Sequence, residues 1–495
     1  MYILNSQYSI AIKMSNAVLR LLNKANRIGY GAAKTCFHND ITCAKVAVKQ
    51  YSSALFISGD KAHDTFSVLS PCLDFDNRFD NIEGLQKELK LRGIDIDVVE
   101  LKKTWDFYKY VDANKWALEH KRGEITNRMR ALIKKKDLTP AEEQETAKLK
   151  LEAKIVKEDL KFIRDSLWEL ENSVVIRALR LPNELDHRTP PSSPTVLSSV
   201  GIQTQPATVK SHIDIGKDLG LVEYENPTQC YLCNDAALFE LGALALAGSI
   251  LSKDDMIRVA GTDFSRSVVV EGCGLNHEDP AETFILENNE EIERDSPNRL
   301  HLVGGASLVS FLAMYAKQLI NPTHLPLKCF TTGRQYSPFP ESSLPNGLFT
   351  ICQVSAAQVF MVLKESKCDE YEDHFQNLIK TTSKLYDSLD CHYRTVIRPA
   401  TELRPWETLR VSFEMWSPFA EQYIEVGHVS TCGDYLSKRL LICYQTATGR
   451  DFPAIISGTV LSVPRLLGCL LETSSDKFVI PEKIAKYMPI DYETI

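Results

Sequence analysis

At 495 residues the chain is long enough for two or three domains and at least one large buried core. Its 44% hydrophobic and 25% charged residues are the balance of a packed globular protein and exclude a disordered or fibrous one. A formal net charge of −8 excludes a protein that coats nucleic acid over its whole surface, so any such contact must come from one local basic element. No run of about 18 apolar residues occurs, which argues against a membrane-spanning helix.

From Met1 to His38 there is no Asp or Glu, while Lys13, Arg20, Lys24, Arg27 and Lys34 are basic. Between Asn16 and Ile28 the cations recur at helical spacing beside Val18, Leu21, Leu22 and Ala25, the composition of a mitochondrial transit peptide. A basic surface helix is the plainer alternative. Residues 1–60 are therefore expected to be a transit peptide with a disordered lead, and the protein to work in the mitochondrial matrix.

Residues 61–182 are expected to form a helical-hairpin arm. Leu118, Ile125, Met129 and Leu132 make one stripe, and Leu149, Ala153, Val156, Leu160, Ile163, Leu167, Leu170 and Val174 alternate four and three apart, as an antiparallel coiled-coil seam requires. Between the stripes, Thr139 can cap a helix with Pro140 at its first position and Glu142 completing a capping box, so the chain reverses there. Arg128, Arg130, Lys134, Lys135 and Lys136 cluster at this tip, where they can either neutralise RNA phosphates or pair with Glu142, Glu143 and Glu145 on a solvated face. The Pro- and Ser-bearing stretch 183–206 reads as a linker.

The remainder, 207–495, mixes strand-like segments at Ser267–Glu271, Phe349–Val354 and Arg439–Tyr444 with helical ones at Asp235–Leu251 and Glu370–Leu389. They do not alternate regularly and no Gly-rich phosphate loop is present, so an α+β domain around an antiparallel sheet is expected. The thirteen cysteines are scattered; the CxxC of Cys230 and Cys233 has no second ligand pair at matching spacing, and we read it as reduced thiols, with no metal or cofactor expected.

Ordered segments along the chain resemble one family, the seryl-tRNA synthetases, and within it an insect mitochondrial synthetase-like branch. They include Leu181-Pro182-Asn183, Asp235-Ala236-Ala237-Leu238-Phe239-Glu240, Glu271-Gly272-Cys273-Gly274, Gly347-Leu348-Phe349, Ser430-Thr431-Cys432-Gly433-Asp434-Tyr435, Ser457-Gly458-Thr459-Val460 and Val479-Ile480-Pro481-Glu482. The resemblance implies a class II synthetase fold in 207–495, an antiparallel sheet with flanking helices preceded by the hairpin arm, dimerisation, and contact of the arm with serine tRNA. It also implies where the chemistry should sit. The serine-recognising Thr-x-Glu is Gly305-Ala306-Ser307; Arg334 keeps the α-phosphate arginine, but the Glu expected two residues on is Tyr336. Thr350 replaces the second arginine, Val354 the adenine-stacking Phe, Gln358 a serine-contacting Glu, His428 a small Ser and Ser457 an Asn. Glu425, Thr459 and Arg465 match the pattern and, with Arg334, either keep a nucleotide pocket or form an ion-pair cluster in a disused one. Thr262 stands where the dimer motif expects Pro, between retained Val259 and Asp263.

Each missing charge-assisted hydrogen bond costs about 1.5–3 kcal/mol, and every 1.4 kcal/mol of barrier is about tenfold in rate. Losing three carboxylates and an arginine together therefore amounts to a rate loss on the order of 10⁴ even with half the effects overlapping. No catalytic residues are expected. The resemblance implies a non-catalytic partner of the active mitochondrial seryl-tRNA synthetase, as heterodimer or homodimer, that supports its stability, tRNA(Ser) binding or charging. An active serine-tRNA ligase with a rebuilt site and a stand-alone mitochondrial RNA- or DNA-binding factor are the competing readings.

Overall fold

The computed structural model describes residues 53–55, 75–134, 139–203, 209–286, 299–338, 344, 346–474 and 477–489. The basic helix expected at 16–28, and Lys135 and Lys136, lie outside them. From Phe75 the chain forms four helices in succession, α1 (Phe75–Asp80), α2 (Ile82–Leu91), α3 (Val98–Ile133) and α4 (Pro140–Leu179). Two compact units result, the hairpin Val99–Ala178 and a larger body that takes in the segment before it, to Val98, and the chain from Leu179 onward.

Within the hairpin, α3 and α4 close on the expected seam: Ile125, Leu132, Leu149, Val156 and Leu160 are buried together, with Leu118, Met129 and Ala153 against them. Ion pairs flank it, Arg164 with Glu119 at 2.7 Å and Arg177 with Glu100 at 3.4 Å, and fix the antiparallel register. At the reversal both the backbone N–H and the hydroxyl of Thr139 donate to Glu142 Oε2 at 2.9 Å, the acid half of the capping box, and Pro140 opens α4.

The expected arm extends too far toward the N-terminus, because α1 and α2 belong to the body. Arg92, just past α2 and 7% exposed, donates to the carbonyls of Asn183, Arg404 and Glu407, and burial lowers its pKa to about 10. The linker reading of 183–206 also needs correction over most of its length. Asn183 is buried and gives its amide to the carbonyls of Trp406 and Cys432, Arg188 bridges Asp186 and Glu372, and Thr195–Val200 is a strand. Proline and serine punctuate this stretch without freeing it, because distant backbone pairs with its own: Asn183 N–H donates to the Pro405 carbonyl, Asp186 N–H to the Thr408 carbonyl, and Thr195–Val200 joins the ladder with Tyr393–Ile397.

The body is built on an eight-stranded sheet. Its strands are β1 (Thr195–Val200), β2 (Ile257–Arg258), β3 (Leu327–Tyr336), β4 (Gln353–Leu363), β5 (Tyr393–Ile397), β6 (Leu409–Ser417), β7 (Gln422–Gly433) and β8 (Ala454–Ser462), in the spatial order β1-β5-β6-β7-β8-β4-β3-β2. Every junction is antiparallel except β2 with β3, which is parallel. Helices α5 (Asn234–Lys253), α6 (Ser267–Gly272), α7 (Leu308–Tyr315), α8 (Asp369–Asp387) and α9 (Val463–Thr473) follow in chain order. Phe239 of α5, Phe375 of α8 and Leu466 of α9 share one core with Phe330, Val359, Phe413 and Val426 of the sheet. By length and composition alone α5 is apolar enough to cross a membrane, but its Phe239, Ala243, Leu246 and Leu251 are buried in this core.

Three strand expectations shift. Ser267–Glu271 lies in helix α6, whose Val268, Val269 and Val270 are all buried; a short apolar run does not distinguish strand from buried helix. Phe349–Cys352 is a turn, entered at Gly347 with φ +120, and the strand begins only at Gln353. Arg439–Tyr444 spans the end of the helix Tyr435–Leu440, a left-handed Leu441 and the strand Cys443–Gln445. The helices expected at Asp235–Leu251 and Glu370–Leu389 form as α5 and α8.

Candidate functional site

The sheet gathers the scattered motif residues into two neighbouring clusters. Beside β3, Gly304 at φ +89 brings its backbone so close to Arg334 and Gln335 that a Cβ there would fall 2.2 Å from the Arg334 carbonyl oxygen. Gly305 then donates its N–H to Asp263, and Ser307 caps α7 by accepting from Ser310 N–H. The position from which a Glu would reach substrate is thus occupied by a helix cap. Thr262, where the resemblance implies proline, donates its backbone N–H to the Ser310 hydroxyl.

Arg334 sits on β3 opposite Ser355 of β4 and donates to its hydroxyl, while its other nitrogen pairs with Glu240 of α5 at 2.9 Å. Next to it, Gln335 donates to the Ala306 carbonyl, to Gln358 Oε1 at 3.1 Å and to Thr459 Oγ1 at 3.0 Å. Thr459 in turn donates to Gln358 at 2.7 Å, and Gln358 gives its amide to Ser457 at 2.8 Å, so four polar side chains close on one another. Val354 lies across the ladder from Gln335, and Tyr336 ends β3 opposite Gln353. Thr350 is buried in the turn and donates its hydroxyl to the Gly347 carbonyl at 3.4 Å, where the resemblance implies the second arginine.

The second cluster is ionic and lies on β5, β6 and β7. Glu425 accepts from Arg410 at 2.6 Å and from Ser412, stands 3.2 Å from His428 Nδ1, and is 3.5 Å from Arg398 Nε. Burial pushes its carboxyl up, but Arg410, His428 and Arg398 more than offset this and hold it well below the usual range. Burial and then Arg410 lower the His428 pKa, against the raising effect of Glu425. Glu414, fully buried, binds Arg394 at 2.7 Å and Arg398 at 3.2 Å. Arg465 of α9 donates to the carbonyls of Phe349 and Glu425.

All twelve motif positions fall in or beside these clusters, and the retained Arg334 and Glu425 face partners within the chain. Glu240, Arg398 and Arg410 were not singled out from the sequence. Glu240 lies inside the quoted Asp235–Glu240 segment, but nothing in its spacing points to a residue 94 positions away. Arg398 and Arg410 flank a strand pair whose register only the fold sets. A separate cavity of about 560 Å³ is lined by Arg78, Asp186, Arg188, Glu372, Lys438 and Arg439 and holds none of the motif positions. Among the described residues no group of His, Cys, Asp and Glu is arranged to hold a metal, and Cys230 and Cys233 are free thiols.

In the hairpin, Arg128, Arg130 and Lys134 are exposed and without an ion pair among the described residues. The pairing alternative with the acids of the α4 start is not realised for these three, since Glu142 is turned back onto Thr139.

Residues 292–474 match the model of the tRNA synthetase class II core domain of the G, H, P, S and T type. The matched stretch runs through strands β3 to β8 and helices α7 to α9. Along a longer stretch it is 28% identical over 440 residues, 87% of this chain and 90% of the relative, to the serine–tRNA synthetase-like protein Slimp of Drosophila melanogaster. It is 23% identical to the mitochondrial serine–tRNA ligase of Bos taurus, over 87% of this chain and 86% of that one. Among solved structures it shares the fold of seryl-tRNA synthetase from Pyrococcus horikoshii complexed with ATP, at a TM-score of 0.70, 18% identity and coverage of 84% and 97%. A cytoplasmic serine–tRNA ligase from Naegleria fowleri in complex with AMP aligns at a TM-score of 0.66 and 19% identity, covering 84% of this chain and 96% of that one. The synthetase fold is therefore present over both the sheet and the helices that precede it.

Proposed function

We propose that this chain is a non-catalytic seryl-tRNA synthetase paralogue that works in mitochondria as a partner of the active mitochondrial enzyme. The observation that carries the reading is the internal closure of the synthetase core. Arg334 is spent on Glu240 and Ser355, and Glu425 on Arg410, Arg398, His428 and Ser412. Holding ATP and serine needs fixed cations and carboxylates that point at the substrate, and a buried carboxylate already neutralised by guanidinium groups supplies little further attraction for a metal ion. Similarity to a synthetase-like fruit-fly protein and to a bovine mitochondrial ligase supports the placement, together with the acid-free, basic sequence from Met1 to His38.

What remains available is binding surface. Arg128, Arg130 and Lys134 are exposed cations on the hairpin, and we assign them, with Lys135 and Lys136, to the phosphates of a serine tRNA. The apolar side chains Ile257 and Phe264, next to the dimer-motif residues Val259, Thr262 and Asp263, and Leu241 of α5 are about half exposed, which supports pairing through that region with the synthetase or with a second copy.

Serine-dependent ATP–pyrophosphate exchange tests the central claim. The purified chain should give no signal above a no-enzyme control, and exchange well above that control with serine or any other amino acid would overturn it. The competing reading as a stand-alone nucleic-acid factor is separated by partner recovery: tagged protein from mitochondria should bring down the synthetase in stoichiometric amount.

A further inference from the structure

Glu271 ends on a part of the chain far from it in sequence. It lies in α6, 4% exposed, and its carboxylate accepts from the Ser53 hydroxyl at 2.7 Å, the Ala54 N–H at 2.5 Å and the Leu55 N–H at 2.7 Å. Two successive backbone N–H groups converge on one oxygen, Oε2, in the manner of an anion nest, while the hydroxyl takes the other. The segment is buried in return, with Ser53, Ala54 and Leu55 at 8%, 3% and 0% exposure. Among the described residues, His277 Nε2 stands 3.9 Å from the carboxylate, too far for a hydrogen bond. A carboxylate this deep is tolerated only with its lone pairs satisfied, and here residues 53–55 supply the close donors.

This contact conflicts with treating 1–60 as one removable or disordered lead. We propose that Glu271 is an internal receptor for a strap, Ser53–Leu55, that stays on the chain after its leader is cut, so that processing stops N-terminal to Ser53. The processing half rests on the transit-peptide reading; the strap itself rests on the geometry alone. Cleavage C-terminal to Leu55 would take from the body the three close donors to the Glu271 carboxylate and the buried Leu55 side chain.

Two chains test it, one beginning at Lys49 and one at Ser58. The Lys49 chain should melt with the full-length protein, and the Ser58 chain lower by about 5 °C or more. Glu271→Gln should lower the Lys49 chain but add little in the Ser58 background, because both changes remove one interaction, and Ser53→Ala should have a smaller effect of the same sign. A peptide spanning Lys49–Ser58 added in trans should raise the melting temperature of the Ser58 chain. Equal melting of the two chains, or additive effects of truncation and Glu271→Gln, would overturn the strap. Mass spectrometry of the N-terminus from mitochondria reads the processing half: a start between about residue 30 and Ser53 agrees with it, and a start beyond Leu55 overturns it. Retention of Met1 would refute the leader reading while leaving the melting result to decide the strap.

Discussion

Glu425 is the residue on which the ionic cluster turns, because Arg410, Arg398 and His428 all face it within 3.5 Å. Removing its charge leaves two guanidinium groups close together and under-neutralised in a buried site. Glu425→Gln is therefore expected to destabilise the body by about 3–5 kcal/mol, read as a lower urea midpoint at unchanged slope. His301 makes a separate, pH-dependent contribution. It is fully buried, hydrogen-bonded to Ser267 at 2.9 Å, and its pKa is pushed down to about 4, chiefly by burial and then by His277 and Arg299. An unfolded histidine takes a proton near pH 6.5, so between about pH 6.5 and 4 the unfolded chain binds more protons and stability falls as pH falls. His428, also lowered, acts in the same direction. Unfolding midpoints measured at pH 7.5 and 5 should therefore drop, and His301→Gln should shrink the difference; an unchanged difference would mean that the buried imidazole is not what titrates.

At the scale of elements, the hairpin was legible from the sequence and the site only in outline. A heptad seam repeats one physical requirement many times, so Leu149, Val156 and Leu160 identify their own burial, and Thr139-Pro140 with Glu142 marks the turn locally. The body offers no such repetition. Val268–Val270 suit a strand by β-branching yet lie in a helix, since burial on all sides removes the alternation that tells the two apart. Motif residues could be placed by resemblance, but the partners that close them, Glu240, Arg398 and Arg410, come from segments that only the fold brings near. The tip of the hairpin carries the prediction at this scale. Replacing Arg128, Arg130, Lys134, Lys135 and Lys136 with Ala should weaken serine-tRNA binding and reduce the salt slope by about 0.7–0.9 for each phosphate no longer neutralised. Unchanged affinity and slope, alone and with the synthetase, would make these cations a solvated coiled-coil end.

For the whole molecule, the proposed function rests the work on binding surfaces, since the departures from the implied pattern concentrate at substrate-handling positions even though Arg334, Glu425, Thr459 and Arg465 are kept. The sheet order, the α5 helix and the hairpin seam persist, while Gly305, Ser307, Tyr336, Thr350 and Gln358 stand where the resemblance implies substrate-handling groups. A chain with that distribution should act by assembling. We therefore expect an obligate dimer, either with the synthetase or with itself, paired through the region of the dimer-motif residues Val259, Thr262 and Asp263. Leu241, Ile257 and Phe264 are 52%, 58% and 52% exposed, apolar side chains that association would cover. Placing charge there, as in Leu241→Asp with Ile257→Asp, should shift the species seen by light scattering from dimer to monomer, because each buried unpaired carboxylate opposes association. The hairpin-tip substitutions should leave the dimer intact, since they lie in the other compact unit. Dimers that survive the double Asp substitution would place the interface elsewhere, and a wild-type chain that is monomeric at micromolar concentration, with and without the synthetase, would remove the assembly role altogether.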